Sequence, residues 1–306
     1  MIEFQKDLNQ AKLDSIELKL MNTTFYIAVS NSEVLNWKSE ITSWLRQFEK
    51  MISRFLKNNE LSRLNEANCN QELTLSPLLY DILLKAEKYR IKTGGRFSPY
   101  MLKQLEAHGY NRSFPFNTAP EKLIMPIKEN EEDPFIFHHD SRITKKTNAK
   151  IDLGGIAKGY AVEATAGWLK KYAKSKYGIV DGGGDITVWS NGEKTWTIGI
   201  MNPFEDDKEM GAFSIQNGGI ATSNTIQRSW MQGKTKKHHL LDGRTGMPIE
   251  NTIVQATVVM QNCLDAEIGA KICFMNDGLP VKSILSILSN SFNYVLVNSN
   301  GQLEMR

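Results

Sequence analysis

The chain has 306 residues, of which 41% are hydrophobic and 23% are charged, and its formal net charge is +3 at pH 7. These values are ordinary for a globular protein with a sizeable core. The lysines are scattered and no RNA-binding motif occurs, so we expect no nucleic-acid partner. We expect a single domain over residues 1–306, with two intimately packed lobes as the alternative.

The first twenty residues and the cysteines indicate the cellular compartment. Residues 1–20 mix charged and apolar residues, without the apolar stretch and cleavage site of an export signal. No window has the length and apolar character of a membrane span. Cys69, Cys263 and Cys273 are too few and too scattered for a disulfide framework or a zinc site. We therefore expect a cytoplasmic protein in which Cys263 and Cys273 are small core residues.

The first half of the chain is predicted to be mainly helical. Residues 18–30 are rich in β-branched and aromatic side chains and predict a strand, which Asn22 interrupts. Residues 33–56 space their apolar side chains three and four positions apart, which predicts a long amphipathic helix. A second helix is expected to open at Ser76-Pro77 and to end at Gly94-Gly95.

The second half is predicted to be mainly strands. Residues 110–150 predict an irregular connection with short strands, and a helix is expected to follow a glycine-rich turn and to reach about Tyr172. The predicted strands lie at 177–190, which contains a turn, and at 195–203, 212–224 and 252–260. Residues 264–276 have helical spacing, and a closing hairpin is expected around Asn300-Gly301. Long helices followed by hairpin-spaced strands favour an α+β fold over repeated βαβ units.

The stretch IDLGGIAKGYAVE (151–163) indicates a phosphate-bearing ligand. Gly154 and Gly155 leave the backbone approachable, and a helix N-terminus favours negative charge. Lys158 follows closely enough to pair with a phosphate, and Asp152 can cap the turn or bind a ligand hydroxyl. An ordinary helix start with a solvated lysine explains the stretch about equally well.

The glycine-rich motifs of two common classes of nucleotide-binding protein are absent. No P-loop pattern occurs, and DGGGD (181–185) leads into a strand, which argues against a Rossmann fingerprint. A tight β-turn is the favoured interpretation of DGGGD, with a cavity wall as the alternative. In the same way, ELSRLN (60–65) predicts an N-capped turn or part of a ligand wall, and KTKKHH (234–239) predicts a solvated loop rather than an anion-steering patch.

Two further segments carry candidate catalytic groups. HHLLDGRTGMP (238–248) is either a surface loop with one structural Asp–Arg pair or the source of a general base, His239. LDAEIGA (264–270) places Asp265 at a helix start, where a carboxylate commonly interacts with the helix dipole. The alternative is a ligand for a hard cation such as Mg²⁺.

Taken in chain order, these segments resemble the motifs of the ApbE-type FAD:protein FMN transferases. The matching segments are Met21-Asn22-Thr23, ELSRLN (60–65), GGRFSP (94–99), DLGGIAKGYAVE (152–163), GGD (183–185), WTIGIMNP (196–203), ATSN (221–224), HLLDGRTGMP (239–248) and LDAEIGA (264–270). The resemblance spans roughly residues 18–275, and several motifs in the correct order are more specific than any one of them.

This resemblance implies an α+β fold with mixed or antiparallel sheets and flanking helices around a central FAD cleft. It also implies a Mg²⁺-dependent transferase, which splits FAD, attaches FMN to a Thr or Ser of an acceptor flavoprotein with an FMN-binding domain, and releases AMP. A metal and a lysine would offset the charge that builds on the diphosphate.

The resemblance assigns site residues by motif position. The implied FAD-binding residues are Met21, Phe55, Arg96, Phe97, Ser98, Asp152, Lys158 and Leu241. The implied metal site consists of the Gly155 carbonyl and the Asp265 carboxylate, with Gly269 at the position of a threonine ligand. His239 is the implied base, and Asp265 is implied in catalysis through the metal.

Three positions depart from the family pattern. Gly269 replaces the metal-binding threonine, Ser98 replaces an aspartate and Asn224 replaces a glycine. Residues four apart on a helix share a face, so a threonine at 269 would add an oxygen beside Asp265. Two alternatives therefore accompany the transferase: an FAD pyrophosphatase that uses water as acceptor, and an FAD-binding protein without catalysis.

Overall fold

The computed structural model describes residues 13–116, 133–275 and 278–306. The helices are α1 (Trp37–Ile52), α2 (Glu60–Glu66), α3 (Pro77–Lys92), α4 (Leu102–Ala107), α5 (Ala157–Lys171), α6 (Cys263–Ile272) and α7 (Val281–Ser286). The strands are β1 (Asp14–Leu20), β2 (Thr23–Val29), β3 (Glu72–Thr74), β4 (Phe135–Phe137), β5 (Arg142–Lys145), β6 (Gly178–Asp181), β7 (Asp185–Trp189), β8 (Trp196–Met201), β9 (Glu209–Ile215), β10 (Gly218–Asn224), β11 (Ser229–Gln232), β12 (Thr235–His238), β13 (Ile253–Met260), β14 (Asn293–Asn298) and β15 (Leu303–Met305).

An eight-stranded antiparallel sheet forms the centre of the structure. Its strand order is β1-β2-β6-β7-β10-β13-β14-β15. The strands β8 and β9 pair with each other, as do β11 and β12, and β3, β5 and β4 form a small three-stranded sheet. Each described pairing is antiparallel. The predicted α+β fold with flanking helices is confirmed.

Both faces of the central sheet are covered. Val180 of β6 packs in the large core that includes α1, α5 and α6. Its neighbour Ile179 packs in a separate cluster with Trp196 and Ile198 of β8. Successive side chains of a strand point to opposite faces, so the helices lie on one face and the β8–β9 pair on the other. This double cover explains why the middle strands β6 and β7 are buried on both faces.

The N-terminal segment forms a hairpin rather than the single strand predicted over 18–30. Strands β1 and β2 are joined at Met21 and Asn22, whose φ angles are 49° and 58°. A two-residue hairpin loop of this kind needs left-handed backbone at both positions, and asparagine adopts it more readily than most residues. The interruption at Asn22 was thus the turn itself.

The helix predictions are confirmed with shorter limits. The long helix predicted over 33–56 occupies Trp37–Ile52. Helix α3 starts as expected, since the Ser76 side chain accepts a hydrogen bond from the Leu79 amide and Pro77 occupies the first turn. Gly94 and Gly95, with φ angles of 59° and 78°, end it.

Other segments are confirmed in part. The closing hairpin is present as β14 and β15, and Cys263 and Cys273 are buried as predicted. The prediction of a solvated loop for KTKKHH (234–239) was wrong, because most of this segment forms β12 in an exposed hairpin with β11. Of the predicted irregular connection, residues 117–132 lie outside the described part, as do residues 1–12 of the N-terminal segment. Within the described ranges, none of the helices is both long and apolar enough to cross a membrane.

Candidate functional site

A cleft of about 300 Å³ lies where the β1–β2 turn, the end of α1, the segment before α4 and the start of α5 meet. All eight residues that the sequence assigned to FAD line it: Met21, Phe55, Arg96, Phe97, Ser98, Asp152, Lys158 and Leu241. Gly155 and His239 line it as well. The structure therefore brings together residues from distant parts of the chain, while their role in binding a flavin stays a prediction.

The side chain of Asn65 holds the backbone of the glycine-rich bend that precedes α5. Its side-chain amide donates to the Ile151 carbonyl at 2.9 Å, and its oxygen accepts from the Ile151 amide at 2.7 Å. Asp152 then accepts from the Gly154 amide at 3.0 Å, which tightens the turn. The N-capped turn predicted in ELSRLN is observed, with Asn59 as the cap of α2. This segment thus supports the cleft floor instead of lining it.

Arg54 is a cleft residue that the sequence reasoning missed. Its Nε lies 2.8 Å from the Asp152 carboxylate, and its side chain is only 6% exposed. The guanidinium stacks against Phe55 and Tyr110, with 4.4 and 4.5 Å to the ring centroids. Its Nη2 is buried and has no hydrogen-bond partner within the described residues. A buried cation with an unused donor is therefore built into the wall of the cleft.

Lys158 lies among buried carboxylates. Its ammonium pairs with Asp185, and it is 3.8 Å from Oε1 of Glu267. Burial lowers the pKa of Lys158 to about 8; Glu267 opposes the shift, and the cations Lys271 and Arg228 add to it. Lys158 is thus positively charged at neutral pH but closer to losing its proton than an ordinary lysine.

Asp185 reaches Lys158 because of the DGGGD turn. The Asp181 carboxylate accepts from the amides of Gly183 and Gly184, both at 2.8 Å. Gly183 has a φ of 79°, and an added Cβ there would overlap the side chain of Thr23. The favoured interpretation, a tight β-turn, is therefore observed, and the turn also delivers a carboxylate to the site.

Glu267 is the carboxylate of α6 that faces the start of α5. It is fully buried, and its Oε2 accepts from the Gly159 amide at 3.0 Å. Its Oε1 accepts from the Lys271 ammonium at 3.0 Å. Lys271 lines the cleft beside Gly155. The sequence reasoning missed both residues, although their spacing of four, which places opposite charges on one helix face, is a recognisable signal.

Asp265 lies elsewhere on α6. Its carboxylate accepts from the Tyr89 hydroxyl at 2.9 Å and from the Asn262 side chain at 2.6 Å. Burial raises the pKa of Tyr89, so this hydroxyl keeps its proton and donates a hydrogen bond to Asp265. The Asp265 amide also donates to the Asn262 side chain, which caps the helix. Asp265 does not line the cleft.

Gly269 faces the apolar core. An added Cβ would lie 3.1 Å from the Met260 side chain and 3.2 Å from that of Leu285. The predicted metal site of Gly155, Asp265 and Gly269 is therefore not assembled, because only Gly155 borders the cleft. Among the described residues, no group of three or more His, Cys, Asp or Glu side chains can hold a metal ion. The donor set does not fit Mg²⁺, which needs several free oxygen ligands.

His239 lines the cleft in its neutral form. Its Nδ1 lies 3.4 Å from the Arg228 carbonyl. Burial lowers the pKa of His239 to about 3, and the positive charge of Arg228 acts in the same direction. The loop that follows contains the predicted structural pair, with Arg244 Nη2 2.6 Å from Asp242. The Asp–Arg pair is thus observed, but most of the loop is buried or half-buried rather than on the surface. The role of His239 as a base stays a prediction.

Comparisons with known proteins give the family. The sequence model of the ApbE family matches residues 21–291. A FAD:protein FMN transferase of Klebsiella pneumoniae is 24% identical over 249 residues, which cover 77% of this chain and 74% of that protein. A FAD:protein FMN transferase of Chlamydia muridarum is 25% identical over 250 residues, with 78% and 75% covered.

Solved structures agree with this result. The crystal structure of the ApbE protein from Thermotoga maritima is similar with a TM-score of 0.81 at 22% identity, over 96% of each chain. The flavin transferase ApbE from Vibrio cholerae is similar with a TM-score of 0.75 at 19% identity, over 97% of each chain. Since the family model covers most of the sequence and the fold agrees, this chain belongs to the ApbE family.

Proposed function

We propose that this chain is a FAD:protein FMN transferase, which moves FMN from FAD to a Ser or Thr hydroxyl of an acceptor flavoprotein and releases AMP. The observation that carries the proposal is that all eight residues assigned to FAD by motif position line one cleft. The family membership and the names of the relatives support the same reaction.

The cleft offers what a dinucleotide needs. Apolar side chains such as Met21, Phe97 and Leu105 suit a flavin or adenine ring, and the cations Lys158, Lys271 and Arg228 suit a diphosphate. Gly154 and Gly155 have no side chains of their own that would keep the phosphates away from their backbone. We infer that the diphosphate lies against the Gly154–Lys158 bend.

In the proposed reaction the acceptor hydroxyl oxygen attacks the phosphorus on the FMN side of the diphosphate. A new P–O bond forms, the bond to the bridging oxygen breaks, and AMP leaves with that oxygen. The hydroxyl proton passes to a base. Lys158 offsets the negative charge that develops on the phosphate oxygens, which in phosphoryl transfer is the main contribution of the protein.

His239 is our candidate for the group that takes the proton. With Nδ1 directed at the Arg228 carbonyl, Nε2 is left as an acceptor. A pKa of about 3 makes a free imidazole a weak base. A bound diphosphate brings two negative charges to the same cleft and raises this pKa toward the useful range. We therefore expect His239 to become basic only when FAD is bound.

The test is to incubate the protein with FAD and a flavoprotein domain that accepts FMN. Covalent flavin fluorescence on a denaturing gel, together with AMP in the supernatant, is the expected result. Lys158→Ala should abolish labelling, and the exposed Lys171→Ala should not. FMN and AMP formed equally without an acceptor would indicate a pyrophosphatase. Bound FAD without any AMP would indicate a binding protein and would contradict the proposed transfer.

A further inference from the structure

The side of α6 that faces the cleft carries a fixed ammonium ion. Lys271 donates to the buried Glu267 at 3.0 Å, and its Cε would lie 3.6 Å from a Cβ at Gly155. It is therefore next to the backbone that the resemblance assigns to a divalent cation. Its side chain is 16% exposed and lines the cleft, so its ammonium is available to a ligand on the other side.

The helix period determines which pair faces the cleft. Glu267 and Lys271 are four residues apart and so share a face, as do Asp265 and Gly269. The first pair lies on the side of α6 that faces α5, where Glu267 accepts from the Gly159 amide and Lys271 lines the cleft. The second pair is turned toward Tyr89 and the apolar core.

The oxygens of Glu267 leave no room for a metal ion. One accepts from the Gly159 amide and the other from Lys271, with Lys158 3.8 Å away. A divalent cation needs oxygens that are free to coordinate it, and an ammonium at hydrogen-bond distance from the same carboxylate repels it. An ammonium, by contrast, has three donors and can serve Glu267 and a phosphate together.

We propose that Lys271 takes the place of a divalent cation in this chain, and that Lys271 and Lys158 together hold the diphosphate of FAD without Mg²⁺. The inference rests on the proposed function, since that function supplies the diphosphate. Arg228 lines the same cleft, as do Arg54 and Arg96, and adds to the positive charge of its wall.

The experiment measures FAD binding by isothermal titration calorimetry, with the protein in excess EDTA or in excess MgCl₂. We expect the two dissociation constants to agree within about twofold. Lys271→Thr places a hydroxyl four residues after Glu267. It should weaken FAD binding in EDTA by about tenfold or more, and MgCl₂ should restore part of the loss. The matched control is the exposed Lys171→Thr, which should bind FAD like the wild type.

A second measurement does not depend on any variant or on activity. Mn²⁺ added to the wild-type protein without nucleotide should keep the electron paramagnetic resonance signal of the free ion. Loss of that signal on addition of protein, or FAD binding by the wild type that requires MgCl₂, would overturn the proposal. If FAD fails to bind with and without MgCl₂, the proposed function itself is contradicted, and the inference with it.

Discussion

Oε1 of Glu267 accepts a hydrogen bond of 3.0 Å from the Lys271 ammonium, one helical turn further along α6, while Oε2 accepts from the Gly159 amide at the start of α5. This carboxylate therefore joins two helices and neutralises two cations, since Lys158 lies 3.8 Å away. Removal of one partner from such a cluster leaves the other charges uncompensated. The resulting loss of stability is larger than the net stabilisation that the intact cluster provides.

The first prediction concerns Glu267→Gln. The change leaves the half-buried Lys158 and Lys271 beside one carboxylate fewer, so we expect the free energy of unfolding to fall by about 3 kcal/mol. Urea denaturation followed by circular dichroism measures it. Glu66→Gln, at an exposed position at the end of α2, is the control and should change stability by less than about 0.5 kcal/mol. Equal effects of the two changes would contradict the buried cluster.

The second prediction compares two glycines of α5. At Gly159 an added Cβ would lie 2.6 Å from Oε2 of Glu267, whereas at Gly167 nothing lies within 4 Å. We expect Gly159→Ala to lower the free energy of unfolding by about 1–3 kcal/mol, because the helices must separate. Gly167→Ala should raise it by about 0.5–1 kcal/mol through better helix propensity. The thermal unfolding midpoints should therefore move in opposite directions.

The third prediction concerns Gly269→Thr. Its side chain would enter the core, where the atoms nearest to an added Cβ belong to the apolar side chains of Met260, Leu285 and Val258. The hydroxyl would therefore lie among apolar neighbours. We expect a loss of about 1–3 kcal/mol in the free energy of unfolding. FAD binding should not become dependent on MgCl₂, in contrast to Lys271→Thr. A gain of Mg²⁺ dependence at position 269 would show that α6 presents a different face to the cleft.

The fourth prediction is a loss of stability in mild acid. Burial lowers the pKa values of His108, His238 and His239, the last to about 3. As the pH falls below about 6.5, the unfolded chain takes up protons at these residues before the folded chain does. Their contribution to stability is therefore complete above about pH 6.5 and is lost as the pH falls toward the folded values.

One pH unit below 6.5, each histidine that stays neutral in the folded state should cost about 1 kcal/mol. Urea midpoints at a series of pH values measure the slope. His239→Gln removes one titrating group, so its stability should fall less steeply with acid than that of the wild type. A slope that the substitution leaves unchanged would mean that His239 is protonated in the folded protein.

The fifth prediction is that FAD binding weakens in alkali. Lys158 has a pKa of about 8, so its positive charge is complete well below that value and is lost as the pH rises through it. Fluorescence titration with FAD should show weaker binding at about pH 9 than at about pH 7. Lys158→Arg keeps its charge over this range and should remove the difference. A pH dependence that persists in the arginine variant would place the titrating group elsewhere.

Local signals in the sequence predicted much of the fold. The apolar spacing of α1, the Ser76-Pro77 start of α3 and the glycines that end it are all properties of short segments. The hairpin at Met21-Asn22 was missed because β-branched residues on both sides concealed a turn that depends on backbone conformation. The cleft residues were predicted by the order of motifs, which carries information that no single segment has.

The predicted metal site of Gly155, Asp265 and Gly269 could not be located from motif order alone. A motif gives the order of residues, but a shift of two positions along a helix turns a side chain to a nearly opposite face. Asp265 and Gly269 were assigned to the metal site by motif position, but they lie on a side of α6 that does not border the cleft. Arg54 had no local signal at all, because its partner Asp152 lies in a distant segment that only the folded chain brings near.

Met21 and Met275 line the same cleft although they stand near opposite ends of the matched region. The lining of the cavity comes from residues between 21 and 275, so we expect a ligand to be held only while the β1–β2 hairpin and α6 are both docked. Opening of either region should then release the ligand. If the proposed function holds, saturation with FAD should therefore protect the entire chain from heat and proteases by mass action.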